Sequence, residues 1–467
     1  MRAFVRFWTA PFVPNVLALL ALLILAAAIV RLVPPLRRVG IPNAIFAGLL
    51  GLLLGPSVLD VLPVDTDVLE VIVYHAFAVV FIAVGLQSAP PTKATGSARS
   101  MAFGIAFLAV SQALLGFILV AAWMGLTQGT LHPGFSWMVT LGFMQGPGQA
   151  LALGSAWEGQ GLVHGGQIGL IFAALGFAYC IILGVPLVAL ARRRGWIEAE
   201  PCGDEPVDPP TMQSTPTATP TETPAATGPN EPLSVQIMLV AGVYIATFGL
   251  LFALTRALPE GSPLHATLWG FHFIVGSAFA IGLRRTAQRM HLDQPFNDPL
   301  LARITVIAVD ITTAGAIAAV RLDVLTAWLG PILFMTTIAG LLTGLVCLWS
   351  AKRLFPDRPF AHSLVLLGTA TGTISTGLAL LRMVDPELRG PVARNVVVAA
   401  TGSVPINAPL FIGVIPLAVT LWPGELTTAL LVPAGVLVVY LAALLVGFAK
   451  LTPARLLRPI TSLWPTS

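Results

Sequence analysis

The sequence predicts an all-α integral membrane protein with an inverted repeat. Each of two halves holds five transmembrane helices plus a re-entrant hairpin, and one extra C-terminal helix follows. Three observations predict it. The chain of 467 residues is 56% hydrophobic and only 10% charged, with a mean hydropathy of +0.87, whereas a soluble domain carries about 25% charged residues. Apolar runs of about 20 residues, enough to cross roughly 30 Å of hydrocarbon, recur from end to end. Positive charge gathers in short loops that fall on one face only if two apolar segments turn back on themselves.

Taken in order, the apolar segments lie near 15–33, 42–60, 68–88, 101–126, 135–157, 165–190, 234–257, 264–283, 299–320, 324–349, 361–384, 392–421 and 425–448. The first follows Arg2 and Arg6 in the manner of a signal peptide. Its run from Val16 to Val30 is long enough to span and further spans follow at once, so retention is expected. Between the sixth and seventh segments lies Ile197–Pro232, rich in Pro, Thr, Glu and Asp. Such a stretch has almost nothing apolar to bury and is expected to be a disordered cytoplasmic linker. It divides the chain into a first membrane repeat (1–196), the linker (197–232), a second repeat (233–421), and a final helix with its tail (422–467).

Basic clusters sit at Arg37/Arg38, Lys93/Arg99, Arg192–Arg194, Arg284/Arg285/Arg289, Lys352/Arg353/Arg358, Arg382/Arg389/Arg394 and Lys450/Arg455/Arg458. If every segment crosses, Arg192–Arg194 falls opposite the first two clusters. If 135–157 and 361–384 each enter and leave on one face, all the clusters share a side, the cytoplasmic one. The first hairpin then enters from outside and the second from inside. Arg2 and Arg6 lie outside, a mild exception to the charge rule. The hairpins also share sequence: Leu141-Gly142 through Gly146 matches Leu367-Gly368 through Gly372, and Leu-Ala-Leu follows at 151–153 and 378–380.

The hairpins are where chemistry is expected. In hydrocarbon, backbone N–H and C=O groups must be paired, so broken helix survives only against protein or a water-filled cavity. Gly146-Pro147-Gly148 breaks the first hairpin, since Pro147 has no N–H and the glycines permit non-helical angles. Gln145 and Gln149 flank that break. The second holds Thr369, Thr371, Gly372, Thr373, Ser375 and Thr376 within a few residues. N–H groups at a half-helix start suit an anionic carboxylate; freed carbonyls and hydroxyls suit Na⁺, a hard cation. The bland alternative is that these glycines only let helices pack closely. Asp310 sits in an apolar span, where a carboxylate faces a partner or cavity or is protonated; it is either an ion ligand or a packing contact with Thr312 or Thr313. Asn407, between Pro405 and Pro409, is a candidate neutral ligand beside carbonyls those prolines free.

Other features are read as structural. His75, His272, Gln87 and Gln112 are expected to be hydrogen-bonded helix contacts, and Glu158, His164, Asp385 and Glu387 solvated loop residues. Glu70 lies near a span entry, within reach of water. Cys180, Cys202 and Cys347 have no metal-site spacing. The net charge of +4 is spread over many loops and gives no nucleic-acid patch. No Walker, HExxH, GxSxG or Rossmann pattern stands in a plausible context, so an enzyme is not expected and neither is an organic cofactor.

The layout resembles the glutamate:sodium symporter family. Ile41-Pro42-Asn43-Ala44-Ile45-Phe46 looks like that family's Ile-Pro-Glu-Pro-like opening of the second span. Ala83-Val84-Gly85-Leu86-Gln87 is similar to its Ile-Gly-Leu-Asn-like turn. Gln145-Gly146-Pro147-Gly148-Gln149, followed by Ser155-Ala156-Trp157, is the nearest match to its first hairpin, and Gly368–Gly377 aligns with its second. The family's hairpin His is absent, and Asn407 falls where it has an Asp. The resemblance implies the inverted-repeat fold, a homodimer in the cytoplasmic membrane, and ion-coupled uptake of a small organic anion such as glutamate, with Na⁺ or H⁺ as coupling ion. It also implies elevator-like motion of a hairpin-bearing core. The alternatives are a cation/proton antiporter of related design, with Asp310 as the exchanging acid, and a membrane-embedded enzyme or sensor.

Overall fold

Helix is the only regular structure among the described residues of the computed structural model, as apolar surroundings demand of a chain that must pair its own backbone. The structure describes residues 11–33, 36, 41–88, 95–197, 232–259, 264–292, 294–355, 357–386, 388, 390–422 and 424–451. The expected disordered linker, apart from its end residues, and the C-terminal tail lie outside the described residues, as do Arg37, Arg38, Lys93, Cys202 and Glu387.

The first half contains α1 (Phe12–Leu32), α2 (Asn43–Leu54), α3 (Thr66–Leu86) and α4 (Gly96–Thr127). After these come the short α5 (Phe135–Met138) running into a π-helical stretch (Val139–Gln145), then α6 (Pro147–Glu158) and α7 (Gly165–Arg193). The second half contains α8 (Pro232–Ala257), α9 (Leu264–Gly270), α10 (His272–Arg289), α11 (Asp298–Ala318), α12 (Leu322–Ala327) and α13 (Leu329–Leu354). It continues with α14 (Pro359–Ala370), α15 (Ile374–Leu381), α16 (Pro391–Ala408), a second π-helical stretch (Pro409–Val414) and α17 (Ile415–Thr420); α18 (Leu426–Leu451) comes last. Among the described residues, 9 helices are long and apolar enough to cross a membrane. The chain is therefore a multi-pass α-helical membrane protein.

Several expected spans take a different form. Segment 42–60 is helical only over the 12 residues of α2, about 18 Å at 1.5 Å per residue and too short to cross alone. Pro56 forces the break: it disfavours helical angles at Gly55, and the chain doubles back so that Val61 and Leu62 donate to the Leu54 carbonyl at 2.9 and 2.8 Å. Segment 264–283 is two helices, with Phe271 donating to both the Thr267 and Leu268 carbonyls at the joint. Pro409 ends regular α-helix in segment 392–421, where its ring blocks the usual hydrogen bond and a wider π turn follows. Side chains cap the wet ends of the spans. Asp65 accepts from Asp67 and Val68 N–H, Thr95 from Ala98, and Asn297 from Leu300.

Packing sorts the helices into two groups. In one, α3 and α11 lie side by side, with α10 on α3, α2 on α11, α1 on α2 and α8 on α10. In the other, α4 carries α13, α16 and α18; α5 packs on α4, α14 on α13, and α7 on α6.

Candidate functional site

Both broken segments fold back on themselves. In the first, the end returns to the beginning: the neutral His132 imidazole donates from Nε2 to the Gln160 carbonyl at 3.1 Å and accepts the Gly134 N–H at Nδ1, also at 3.1 Å. Burial holds that imidazole below its ordinary pKa of 6.5, which keeps the ring neutral, as the clamp needs. In the second, α14 and α15 pack backbone to backbone; a Cβ on Gly368 would lie 2.5 Å from the Gly377 Cα. Phe360 and Ala361 at the start of this second broken segment share a small pocket with Leu381, Val384 and Asp385 at its end.

The two tips meet. A Cβ on Gly146 would stand 3.6 Å from Thr373 Cγ2. Gly146 has φ +82° and ψ 176°, a region open essentially to glycine alone. Pro147 opens α6 at the position where a missing N–H costs nothing. Thr373 opens α15 through a capping box with Thr376. The starts of both half-helices therefore face one another. By helix geometry the N–H groups of Gly148, Gln149, Ile374 and Ser375 have no acceptor within their own helix. They form a preorganised positive patch.

That patch borders a cavity of about 680 Å³, within the range that holds small molecules. Its walls are α3 and α11. It runs from the tips to the end of the molecule where α1 and α3 finish and α2 and α11 begin, past Val30, Asn43, Gln87, Ala302 and Arg382.

Of the residues singled out in the sequence, Gln145, Gly146, Pro147, Gly148, Thr373 and Ser375 line this cavity. Gln149 is buried behind the tip. Thr369, Thr371, Gly372 and Thr376 do not line it. Thr371 donates to the Leu367 carbonyl at 2.7 Å, and Thr376 to the Gly368 and Thr373 carbonyls, each at 2.7 Å. These hydroxyls hold the turn together instead of facing a solute. Gly372 packs against Phe177 and Thr376. Asp310 lies on α11 beside the lining residue Val309 without lining the cavity itself. Its Oδ1 is buried and has no hydrogen-bond partner among the described residues. The expected Thr312 partner instead donates to the Ala308 carbonyl at 2.7 Å. Asn407 is also away from the cavity, because α16 packs along α4 and the neighbouring Ile406 carbonyl takes the Tyr440 hydroxyl of α18.

No protein-family model and no curated protein matches this chain.

Several lining residues gave no signal in the sequence. Phe77, Val80 and Phe81 read as ordinary span residues, and only the fold brings them to the cavity. Gln87 does make the expected helix contact, donating to the Ala83 carbonyl at 3.2 Å and to Thr305 Oγ1 at 3.1 Å, but it lines the cavity as well. Gln112 supports the second tip from α4, donating to the Ala370 carbonyl at 2.6 Å and to Thr343 at 3.1 Å. Two acids expected to be solvated are caps: Glu158 accepts from Gly166 N–H at 3.0 Å, and the buried Asp385 from Gly390 N–H at 2.9 Å.

The end of the molecule away from the cavity mouth is closed by polar contacts across the two helix groups. Gln167 at the start of α7 donates to Glu70 of α3 at 2.5 Å and to the Ala319 carbonyl at 2.9 Å, and accepts the Arg321 N–H at 2.9 Å. Arg321 is paired in turn with Asp323 at 2.8 Å. Among the described residues no cluster of three or more His, Cys, Asp or Glu could hold a metal ion.

Proposed function

We propose that this protein is a secondary transporter of a small organic anion, driven by Na⁺ or H⁺, in the cytoplasmic membrane. The observation that carries the reading is the meeting of two half-helix starts, Gly148–Gln149 and Ile374–Ser375, at one end of a cavity. Interrupted helices with converging N-termini at membrane depth are how many transporters hold an anionic group without a buried cation. On this reading the two folded-back segments are re-entrant hairpins entering from opposite faces. The paired packing pattern supports an inverted repeat: α2 on α11 mirrors α10 on α3, and α1 on α2 mirrors α8 on α10. The cavity mouth lies on the face that the charge rule assigns to the cytoplasm, so the conformation is inward-open.

The group formed by α4, α7, α13, α14 and α15 with the first hairpin is then the moving core, and the group around α3 and α11 the scaffold and the proposed homodimer surface. The site lies between them, which supports motion of one past the other. This agrees with the resemblance to the glutamate:sodium symporters.

Asp310 favours a second reading. A buried carboxylate oxygen without a partner is costly and marks an ion or proton position, so a cation/proton antiporter is the rival. Uptake by proteoliposomes separates the two. A symporter accumulates labelled carboxylate under an inward Na⁺ or H⁺ gradient; an antiporter moves protons against cations with no organic solute. In either case Asp310→Asn is expected to change the ion or pH dependence of transport, and an unchanged dependence would make Asp310 a packing residue.

A further inference from the structure

Where α4 and α16 start and α18 finishes, an apolar groove opens between cations. It holds about 110 Å³ and is walled by Ala98, Ala102 and Phe103 of α4 and by Val398, Gly402 and Ile406 of α16, with Arg99 at its rim. The two helices run side by side in the same direction: Thr95 donates to Asn395 Oδ1 at 3.1 Å, and a Cβ on Gly402 would stand 3.4 Å from the Ala102 Cβ. α18 runs the opposite way and touches both. Its Tyr440 hydroxyl donates to the Ile406 carbonyl, and nearer its end Gly447 and Phe448 pack on the Phe103 ring. Tyr440 thus stands at the deep end of the groove.

The cations stand at the other end. Arg99 lies one helical turn before Phe103, Arg394 one turn before Val398, and Lys450 one turn after Gly447, so each shares a helix face with a residue of the groove or its edge. All three are exposed. None forms an ion pair with the described residues, and α4, α16 and α18 carry no other charged side chain. The starts of α4 and α16 add the partial positive charge of helix N-termini. We infer that this corner binds an anionic phospholipid, with its phosphodiester among Arg99, Arg394 and Lys450 and part of one acyl chain in the groove. A basic cluster at the polar edge of an apolar crevice between membrane helices matches both ends of such a lipid. A second copy of the chain does not match it, because two-fold pairing on this face would set the same cations against each other. The site requires a bilayer but no transported solute, so it stands independently of the cavity between the tips.

The test uses purified full-length protein in detergent micelles doped with dioleoyl phosphatidylglycerol or dioleoyl phosphatidylcholine. Affinity is read by native mass spectrometry and by lipid-dependent thermal stabilisation; glycerophosphoglycerol, the headgroup without its chains, is the third probe. Wild type should bind phosphatidylglycerol at least about tenfold more tightly than phosphatidylcholine. Arg99→Gln, Arg394→Gln and Lys450→Gln should each weaken phosphatidylglycerol about fivefold and leave phosphatidylcholine unchanged. These side chains are exposed, so each single variant should fold as wild type does. Gly402→Leu, whose new side chain enters the groove, should weaken both lipids. Equal affinity of wild type for the two lipids would overturn the site, and so would a full preference kept in all three Gln variants, which would place the headgroup at another basic cluster. Binding of glycerophosphoglycerol as tight as that of phosphatidylglycerol would make this a phosphodiester site and overturn the lipid. Unchanged binding of both lipids to Gly402→Leu would overturn the seat of the acyl chain.

Discussion

Single residues decide whether the tips can exist. Gly146 holds a conformation that costs other residues about 1–3 kcal/mol, yet its side-chain position is not crowded, with only Thr373 Cγ2 nearby. Gly146→Ala should therefore insert and fold, lose about that much stability, and lose solute-dependent stabilisation. Thermal unfolding with and without ligand checks both effects. At Gly148 the requirement is space, since a Cβ there would overlap the Phe77 ring. His132 acts at the other end of the same folded-back segment. Its clamp needs the neutral ring, and its pKa is lowered by burial. Its contribution to stability is therefore complete above the ordinary imidazole value of 6.5 and is lost as pH falls toward the lowered one. His132→Gln should flatten the acid side of the stability profile below about pH 6.5 relative to wild type. An identical acid limb in both proteins would remove the clamp from the account.

At the scale of elements, the hairpin breaks were legible because they rest on local chemistry: Gly-Pro-Gly at 146–148 and the hydroxyl-rich turn at 371–376 have few structural uses in an apolar chain. The walls were not legible. Phe77, Phe81 and Val306 carry no mark that separates a cavity wall from a lipid contact, and only the pairing of α3 with α11 turns them inward. The broken spans were legible only at Pro409; Pro56 lay inside a segment expected to cross unbroken, and the joint at Phe271 has no proline. The hydroxyls of Thr371 and Thr376 were assigned to the solute from composition, while the turn itself takes them up, because a reversal in a dry interior must satisfy its own carbonyls first. Gln167 is the element-level contact that closes the far end. Gln167→Ala removes its bonds to α3 and to the α11–α12 turn, so the outward-facing population should rise. In a protein without its native cysteines, Ser375→Cys should then react with an impermeant thiol reagent from outside severalfold faster than in the Gln167 background. Equal rates would mean that the closure is held elsewhere.

For the whole molecule, composition alone placed the chain in a membrane, and the helix count and lengths agree with that. The proposed inverted repeat rests on the direction in which each folded-back segment would enter, which composition cannot supply and which charge distribution supplies only through the loops. Helix packing adds the mirrored pairs around α3 and α11, and the folded-back geometry adds the closeness of each hairpin's two ends. The most direct measurement is the sidedness of those four ends. With Cys180, Cys202 and Cys347 replaced, single cysteines at Gly129, Gly161, Asp357 and Pro386 are labelled in oriented vesicles with an impermeant maleimide. The account predicts that Gly129→Cys and Gly161→Cys react only from outside and that Asp357→Cys and Pro386→Cys react only from the cytoplasmic side. If the two ends of either hairpin react from opposite sides, that segment crosses the bilayer and the account is contradicted.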